Sequence, residues 1–94
     1  HKALGERFFW GNRFRLLESL KANYAFGSDT MPPGPLYGIL GALYHPLKEE
    51  RLSLEEALYR YTTAGAGMLG EDDVGEIAVG KRALITIITE EFNP

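Results

Sequence analysis

Cysteine is absent from the 94 residues, which excludes disulfides, thiolate metal sites and a cysteine nucleophile together. Histidine occurs only as His1 and His45, so any chemistry falls mainly to Asp, Glu, Ser, Thr, Lys and Tyr. Long apolar runs are also missing: ALITII at 83–88 is far below the roughly 20 residues that a membrane-spanning helix needs. No signal-peptide layout opens the chain. These absences predict a soluble, cytoplasmic setting with no membrane partner. A basic stripe is lacking as well. The 10 Lys and Arg residues are dispersed among 13 Asp and Glu, for a net charge of -3, which argues against a nucleic-acid partner.

What is present is ordinary globular composition, 45% hydrophobic and 24% charged, which predicts folding rather than disorder. The length suits one small domain with a modest core. The first residue is His1 rather than Met, which reads as a processed piece, a tagged form or an excerpt.

Helical spacing appears first in NRFRLLESLKA, where Phe14, Leu17 and Leu20 recur every three to four residues behind a capping Asn12. The expected helix covers about 13–22. NYAFG at 23–27 is short, aromatic and apolar, as a buried strand is. TMPPGP forbids regular structure. A second helix is expected over about 36–45, with Pro35 in its first turn, Pro46 as its stop, and Gly38 and Gly41 allowing close packing. SLEE at 53–56 has the form of a capping box. Behind it Leu54, Ala57, Leu58, Tyr61, Ala64 and Met68 predict a third amphipathic helix over about 54–68, ended by Gly67 or Gly70. In GEIAVGKRALITIIT, glycines and a β-branched run predict two brief strands around a turn.

The strand at 23–27 is apolar throughout and flanked by helices, as strands of parallel sheets are. A lone parallel strand has no partner for its backbone groups, so oligomerisation or further polypeptide must supply one.

Asp29, in AFGSDT just past that strand, is the main candidate for chemistry. On residue types alone, GSD before a proline-rich loop reads as turn chemistry. Against this, an acid at the C-terminal end of a parallel barrel strand faces the catalytic mouth. His45 before Pro46 suits a helix end. Asp29, His45 and His1 together barely reach the three protein ligands of a catalytic zinc. Glu71, Asp72 and Asp73 lack the alternating ligands of a calcium loop and read as a solvated turn. The glycines of TTAGAGMLG lack the Lys and Ser or Thr of a phosphate cradle. Lys81 and Arg82 suit a solvated turn, and Ser53 a helix cap.

Taken in order, LGERFFWGNRFRLLESL, YAFGSDT, PLYGILGALYH, RLSLEEALYRYTTAGAGMLG and GEIAVGKRALITII resemble the C-terminal end of a metal-dependent amidohydrolase, of the amidohydrolase-3 branch. The resemblance runs across almost the whole chain. It implies an α/β fold. Residues 1–72 would carry the end of a TIM-type (β/α)8 barrel, with its last strand at about 23–27, and 73–94 the returning strands of an accessory β-sandwich. Isolated, the chain would be helix-rich. The resemblance makes Asp29 both the metal ligand and the catalytic group that takes a proton from the hydrolytic water, with a divalent metal, zinc by expectation, in the intact enzyme. No other residue is assigned to cofactor binding, and the chain alone is not expected to hold the ion tightly. Two positions depart from the family pattern. Leu84 stands where an aspartate is usual after Ala83, and Gly65 and Gly67 replace larger residues, costing up to about 1 kcal/mol each in helix stability. The family's HxH pair, its bridging lysine or acid and its later histidines belong to upstream segments.

The resulting expectation is the C-terminal part of a hydrolase acting on C–N or related bonds of a small-molecule substrate. An upstream barrel segment or self-association completes it, and the chain is inactive alone, since it holds less than a third of a barrel of about 250 residues. The alternative is a non-catalytic, helix-rich interaction or oligomerisation module. A third reading is a small metal-binding protein using Asp29, His45 and His1.

Overall fold

The computed structural model describes residues 12–27 and 34–91. Among the described residues four short helices follow one another: α1 at Phe14–Ser19, α2 at Pro35–Leu43, α3 at Leu54–Tyr61 and α4 at Thr63–Met68, with a 3-10 turn at Lys48–Glu50 before α3. None of the described helices is long and apolar enough to cross a membrane.

Helix α1 is shorter at both ends than its periodicity predicts. Asn12 does not cap it: its φ is +53° and the cap position falls on Arg13, which makes no side-chain cap bond. At the other end Lys21 also takes a left-handed φ of +53°. The Lys21 amide then donates to Glu18 O and the Ala22 amide to Leu17 O, both at 3.0 Å. This is a Schellman closure with a lysine where glycine is usual.

Helix α2 starts on Pro35, whose missing N–H costs nothing at a first helical position, and ends two residues short of the expected His45. It packs on α3 through Gly38, where a Cβ would lie 1.6 Å from the Tyr61 hydroxyl oxygen. Gly41, the other expected packing glycine, has no atom near its open side. Ile39 and Ala42 of α2 join Leu52 and Ala57 in a small core, covered by Phe14, Phe26, Leu43, Leu54 and Tyr61.

Helix α3 begins as the sequence predicts. The Ser53 hydroxyl accepts from the Glu56 amide at 3.1 Å, and Glu56 Oε1 accepts from the Ser53 amide at 2.9 Å. The predicted helix over 54–68 is broken, however, at Thr62, which sits at φ −118° and ψ −87°. The Thr62 hydroxyl donates back to Leu58 O at 2.7 Å, a bond that competes with the helical ladder. The following TAGAGM carries two glycines, which weaken a helix. Helix α4 ends with the Glu71 amide on Ala66 O and the Gly70 amide on Gly67 O, so Gly70 rather than Gly67 lies just past its end.

Gly75 closes over the break. Its carbonyl accepts from the Thr63 hydroxyl at 2.7 Å, its φ is +98°, and a Cβ there would meet Ala66 Cβ at 2.9 Å and Thr63 Cα at 3.0 Å. Gly75→Ala is therefore expected to destabilise the chain by about 2 kcal/mol, combining left-handed strain with overpacking against backbone. Urea unfolding measures it, and a change below about 0.5 kcal/mol would remove Gly75 from the packing.

The predicted strands do not form among the described residues. In the 23–27 stretch the Phe26 amide donates to Arg60 O at 3.1 Å, a single bond to a helix instead of a ladder. Residues 76–91 contain turns and irregular chain, and their large apolar side chains stand in solvent, Ile87 being 80% exposed. A strand needs a neighbour for its N–H and C=O groups, and the described residues offer it none. The sequence expectation of sandwich strands over 73–94 is thus without a strand pair here. The expected helix-rich character is present.

Candidate functional site

Asp29 lies outside the described residues, as does His1. What the structure shows is how the chain is held on either side of 28–33. On the N-terminal side, the Phe26 ring sits 5.1 Å from Phe14 and 5.2 Å from Tyr61, centroid to centroid. The Arg60 guanidinium donates to Tyr24 O at 3.1 Å and lies 3.9 Å from the Tyr24 ring centroid. On the C-terminal side Gly34 leads directly into α2, which is fixed against Tyr61. Both flanks of the Asp29 segment are therefore pinned to α3, one through Arg60 and Tyr61 and the other through Gly38.

Three ion pairs brace that frame. Arg60 grips Glu18 with two bonds, Nε to Oε1 at 3.0 Å and Nη2 to Oε2 at 3.1 Å, while the Tyr24 hydroxyl donates to the same Oε1 at 2.7 Å. Arg15 grips Glu56 with two bonds of 2.8 Å and also donates to Arg51 O at 2.9 Å. Arg13 Nε meets Glu50 Oε1 at 2.9 Å, and Glu50 Oε2 accepts from the Leu16 amide at 3.1 Å. Glu50 is only 2% exposed, and two donors satisfy its charge, as burial requires. Among the described residues no buried side-chain nitrogen or oxygen lacks a partner.

The electrostatics follow from these contacts. Arg60 hydrogen bonding, aided by Tyr24 and opposed by burial, lowers the Glu18 carboxyl below its ordinary range. Burial, with Glu18 accepting its proton, pushes the Tyr24 phenol up to about 12. Arg15, aided by Ser53 and opposed by burial, lowers Glu56 to about 2. At Glu50 burial works upward but is outweighed by the Leu16 amide and Arg13, so that carboxyl too is lowered.

Because Glu56 binds its proton more weakly in the folded chain than its ordinary 4.5, its stabilising effect is complete above that value. The effect fades as pH falls toward 2. Glu18 and Glu50 add to the same acid limb. Glu56→Gln is expected to cost about 1–2 kcal/mol at pH 7 and to shrink the loss of stability between pH 7 and pH 3. Urea melts at both pH values check this, and an unchanged acid limb would exclude Glu56 from it.

His45, the described candidate histidine, is buried and its Nδ1 is engaged within the chain. It is 5% exposed, its Nδ1 accepts from the Leu47 amide at 3.0 Å, and its carbonyl accepts from Arg51 Nε at 2.8 Å. Its ring stands edge-on to Phe14 at 5.6 Å. The Nδ1 lone pair is spent on the turn that follows α2, so this atom offers nothing to a metal. The acidic loop is likewise neutralised from within the chain. Arg82 Nε reaches Asp73 Oδ2 at 2.7 Å and Nη2 reaches Glu71 Oε2 at 3.2 Å, while Lys81 Nζ donates to the Asp72 carbonyl. The described residues contain no group of three or more His, Cys, Asp or Glu that could hold a metal ion.

Sequence reading missed Arg60, Tyr24 and Glu18 as the groups that set the approach to Asp29. No local signal marks them, since the ion pair joins residues 42 apart in sequence. Helical spacing reveals which face is apolar but not which charges meet.

The sequence matches the amidohydrolase family over residues 3–93. A dihydroorotase of Methanopyrus kandleri is 54% identical over 37 residues, covering 39% of this chain and 9% of that protein. The match thus takes in a small part of that relative's length. No solved structure matches the chain. With the family match covering nearly every residue, including the stretch that carries Asp29, the chain belongs to the amidohydrolase family.

Proposed function

We propose that this chain is the C-terminal part of a metal-dependent hydrolase acting on C–N or related bonds, with Asp29 as its contribution to the catalytic centre. The family match over residues 3–93 carries the reading. That span takes in YAFGSDT, the capping-box helix and the GEIAVGK turn, and the dihydroorotase similarity supports the reading. On this reading residues 1–72 form the end of a TIM-type barrel, with the chain over 23–27 as its last strand. Residues 73–94 then return to an accessory β-sandwich.

The described residues do not by themselves make a metal site; on this reading the remaining ligands come from an upstream barrel segment. A divalent ion, zinc in this proposal, lowers the pKa of water and polarises a carbonyl when it is bound. The role of this chain is to hold the Asp29 carboxylate where it takes a proton from the attacking water and returns it to the leaving group. Pinning 26 and 35 to α3 suits that task, because an acid–base group acts only within hydrogen-bond reach of its proton. The 94-residue chain alone is accordingly inactive.

The test is intact mass and metal content of the protein bearing this sequence in its source cells. A chain of several hundred residues containing a stoichiometric divalent ion is the expected result. A stable metal-free species near 10.5 kDa would overturn the hydrolase reading.

A further inference from the structure

The ring of Tyr61 meets the chain on both sides of the Asp29 segment. We propose that Tyr61 is a positioning residue, which from the end of α3 sets the spacing between the stretch that enters 28–33 and the helix that leaves it. That this spacing serves chemistry rests on the reading of Asp29 above; the two-sided contact itself does not.

Three observations carry this. First, on the entering side the Tyr61 ring meets Phe26 edge to face, at 5.2 Å between centroids and 68° between planes. Aromatic pairs favour this geometry, which fixes orientation as well as distance. Second, on the leaving side the same ring lies against the backbone of α2. A Cβ on Gly38 would fall 1.6 Å from the Tyr61 hydroxyl oxygen, 2.7 Å from Cζ and 3.2 Å from Cε2. No larger residue fits there while the ring keeps its place. Glycine weakens a helix, and Gly38 is not among the glycines of positive φ, so the ring and not the backbone conformation calls for glycine. Third, the platform is fixed independently of 28–33. The Ser53–Glu56 capping box starts α3, Ala57 is fully buried in the core, and the break at Thr62 ends the helix on Tyr61.

Neighbouring contacts do different work. Arg60 holds the entering side, through its guanidinium on Tyr24 O and its carbonyl on the Phe26 amide. Phe26 also covers the core that contains Ile39 and Ala42 of α2, so burial draws the two sides together. Burial is non-directional and sets no distance. A rigid ring wedged between another ring and a bare backbone does set one, because close-packed groups resist both gaps and overlap. A change on the leaving side is therefore transmitted to the entering side through Tyr61.

The test is amide hydrogen exchange of the full-length protein that carries this sequence, read by mass in peptides covering 22–27, 35–43 and 50–58. Tyr61→Leu keeps apolar bulk but loses the ring. It should exchange at least about tenfold faster in both 22–27 and 35–43, with 50–58 within about twofold of the parent. Gly38→Ala should speed exchange at 22–27, across the segment from the substitution; that peptide is the informative one, since alanine itself favours the α2 helix. Adding Tyr61→Phe to Gly38→Ala removes the nearest clashing atom and should bring 22–27 part of the way back, while Tyr61→Phe alone changes little. Gly38→Ala without effect at 22–27, no recovery in the double variant, or a Tyr61→Leu effect spread equally over 50–58 would each overturn the proposal. If Gly38→Ala does not fold, Tyr61→Leu, which puts no new atom against backbone, decides. The readout is exchange and not turnover. Undisturbed flanks in Tyr61→Leu would leave the hydrolase reading untouched, and failure of that reading at Asp29 leaves the two-sided hold standing.

Discussion

In the full-length protein that carries this sequence, Asp29→Asn is expected to lower kcat/KM by about 10²–10⁴-fold, the scale of a lost acid–base group. Tm should stay within about 2 °C of the parent. Asparagine matches aspartate in size and can still hydrogen-bond as a turn residue, so a merely structural Asp29 tolerates the change. What asparagine lacks is a basic oxygen: it takes no proton from water near neutral pH, and it is a weaker oxygen ligand for a divalent ion. The two roles separate on metal content. If Asp29 acts chiefly on the proton, the purified variant keeps its ion and loses turnover. If it acts chiefly as a ligand, ion and turnover fall together, and excess metal restores part of the rate. Turnover equal to the parent's would sink the catalytic assignment and leave the interaction module standing.

How far the sequence discloses this architecture depends on the range over which each signal acts. The capping box at Ser53 and Glu56 is confined to one turn, and it forms as read. Pro35 and Pro46 act on their own φ and their immediate neighbours, and α2 lies between them. The break at Thr62 escapes a reading based on periodicity because Tyr61, Ala64 and Met68 continue the apolar spacing across it. The interruption comes from one hydroxyl turning back on Leu58, with a glycine-rich stretch following. Asn12 has the right side chain for a cap but the wrong backbone, at φ +53°. Strands are hardest to read, since apolar character announces a strand while its partner is set at long range. The 23–27 and 83–89 runs carry the composition of strands without a ladder among the described residues. At the candidate site Asp29, proposed to bear the chemistry, was legible as a candidate through its motif and lies outside the described residues. The residues that steady its flanks were not, because Arg60 and Glu18, Arg15 and Glu56, and Arg13 and Glu50 meet across 37 to 42 positions.

Arg60→Ala is expected to cost about 3 kcal/mol, a figure reached by removing one partner of a largely buried ion pair and large against the 5–15 kcal/mol of a typical small domain. The Arg60 side chain is 11% exposed and Glu18 21%, so water replaces the lost guanidinium poorly. Three bonds disappear, two to Glu18 and one to Tyr24 O, and Glu18 keeps only the Tyr24 hydroxyl. Arg60→Lys, which retains charge but not the two-pronged grip, should recover roughly half of the loss. In a double-mutant cycle with Glu18→Gln, urea unfolding should give a coupling of about 1–3 kcal/mol. Additive losses would show that the pair contributes nothing beyond its separate side chains. The pH dependence gives an independent check. Glu18 is lowered by Arg60, so its stabilising effect is full above the ordinary carboxylate range and is lost as pH falls below it; Arg60→Ala should flatten that part of the acid limb. The same side chain ties stability to the proposed chemistry, since the Arg60 guanidinium holds the Tyr24 carbonyl five residues before Asp29. In the full-length protein Arg60→Ala is therefore expected to lower turnover together with Tm, whereas Asp29→Asn lowers turnover alone. That contrast distinguishes a positioning residue from the group that moves the proton.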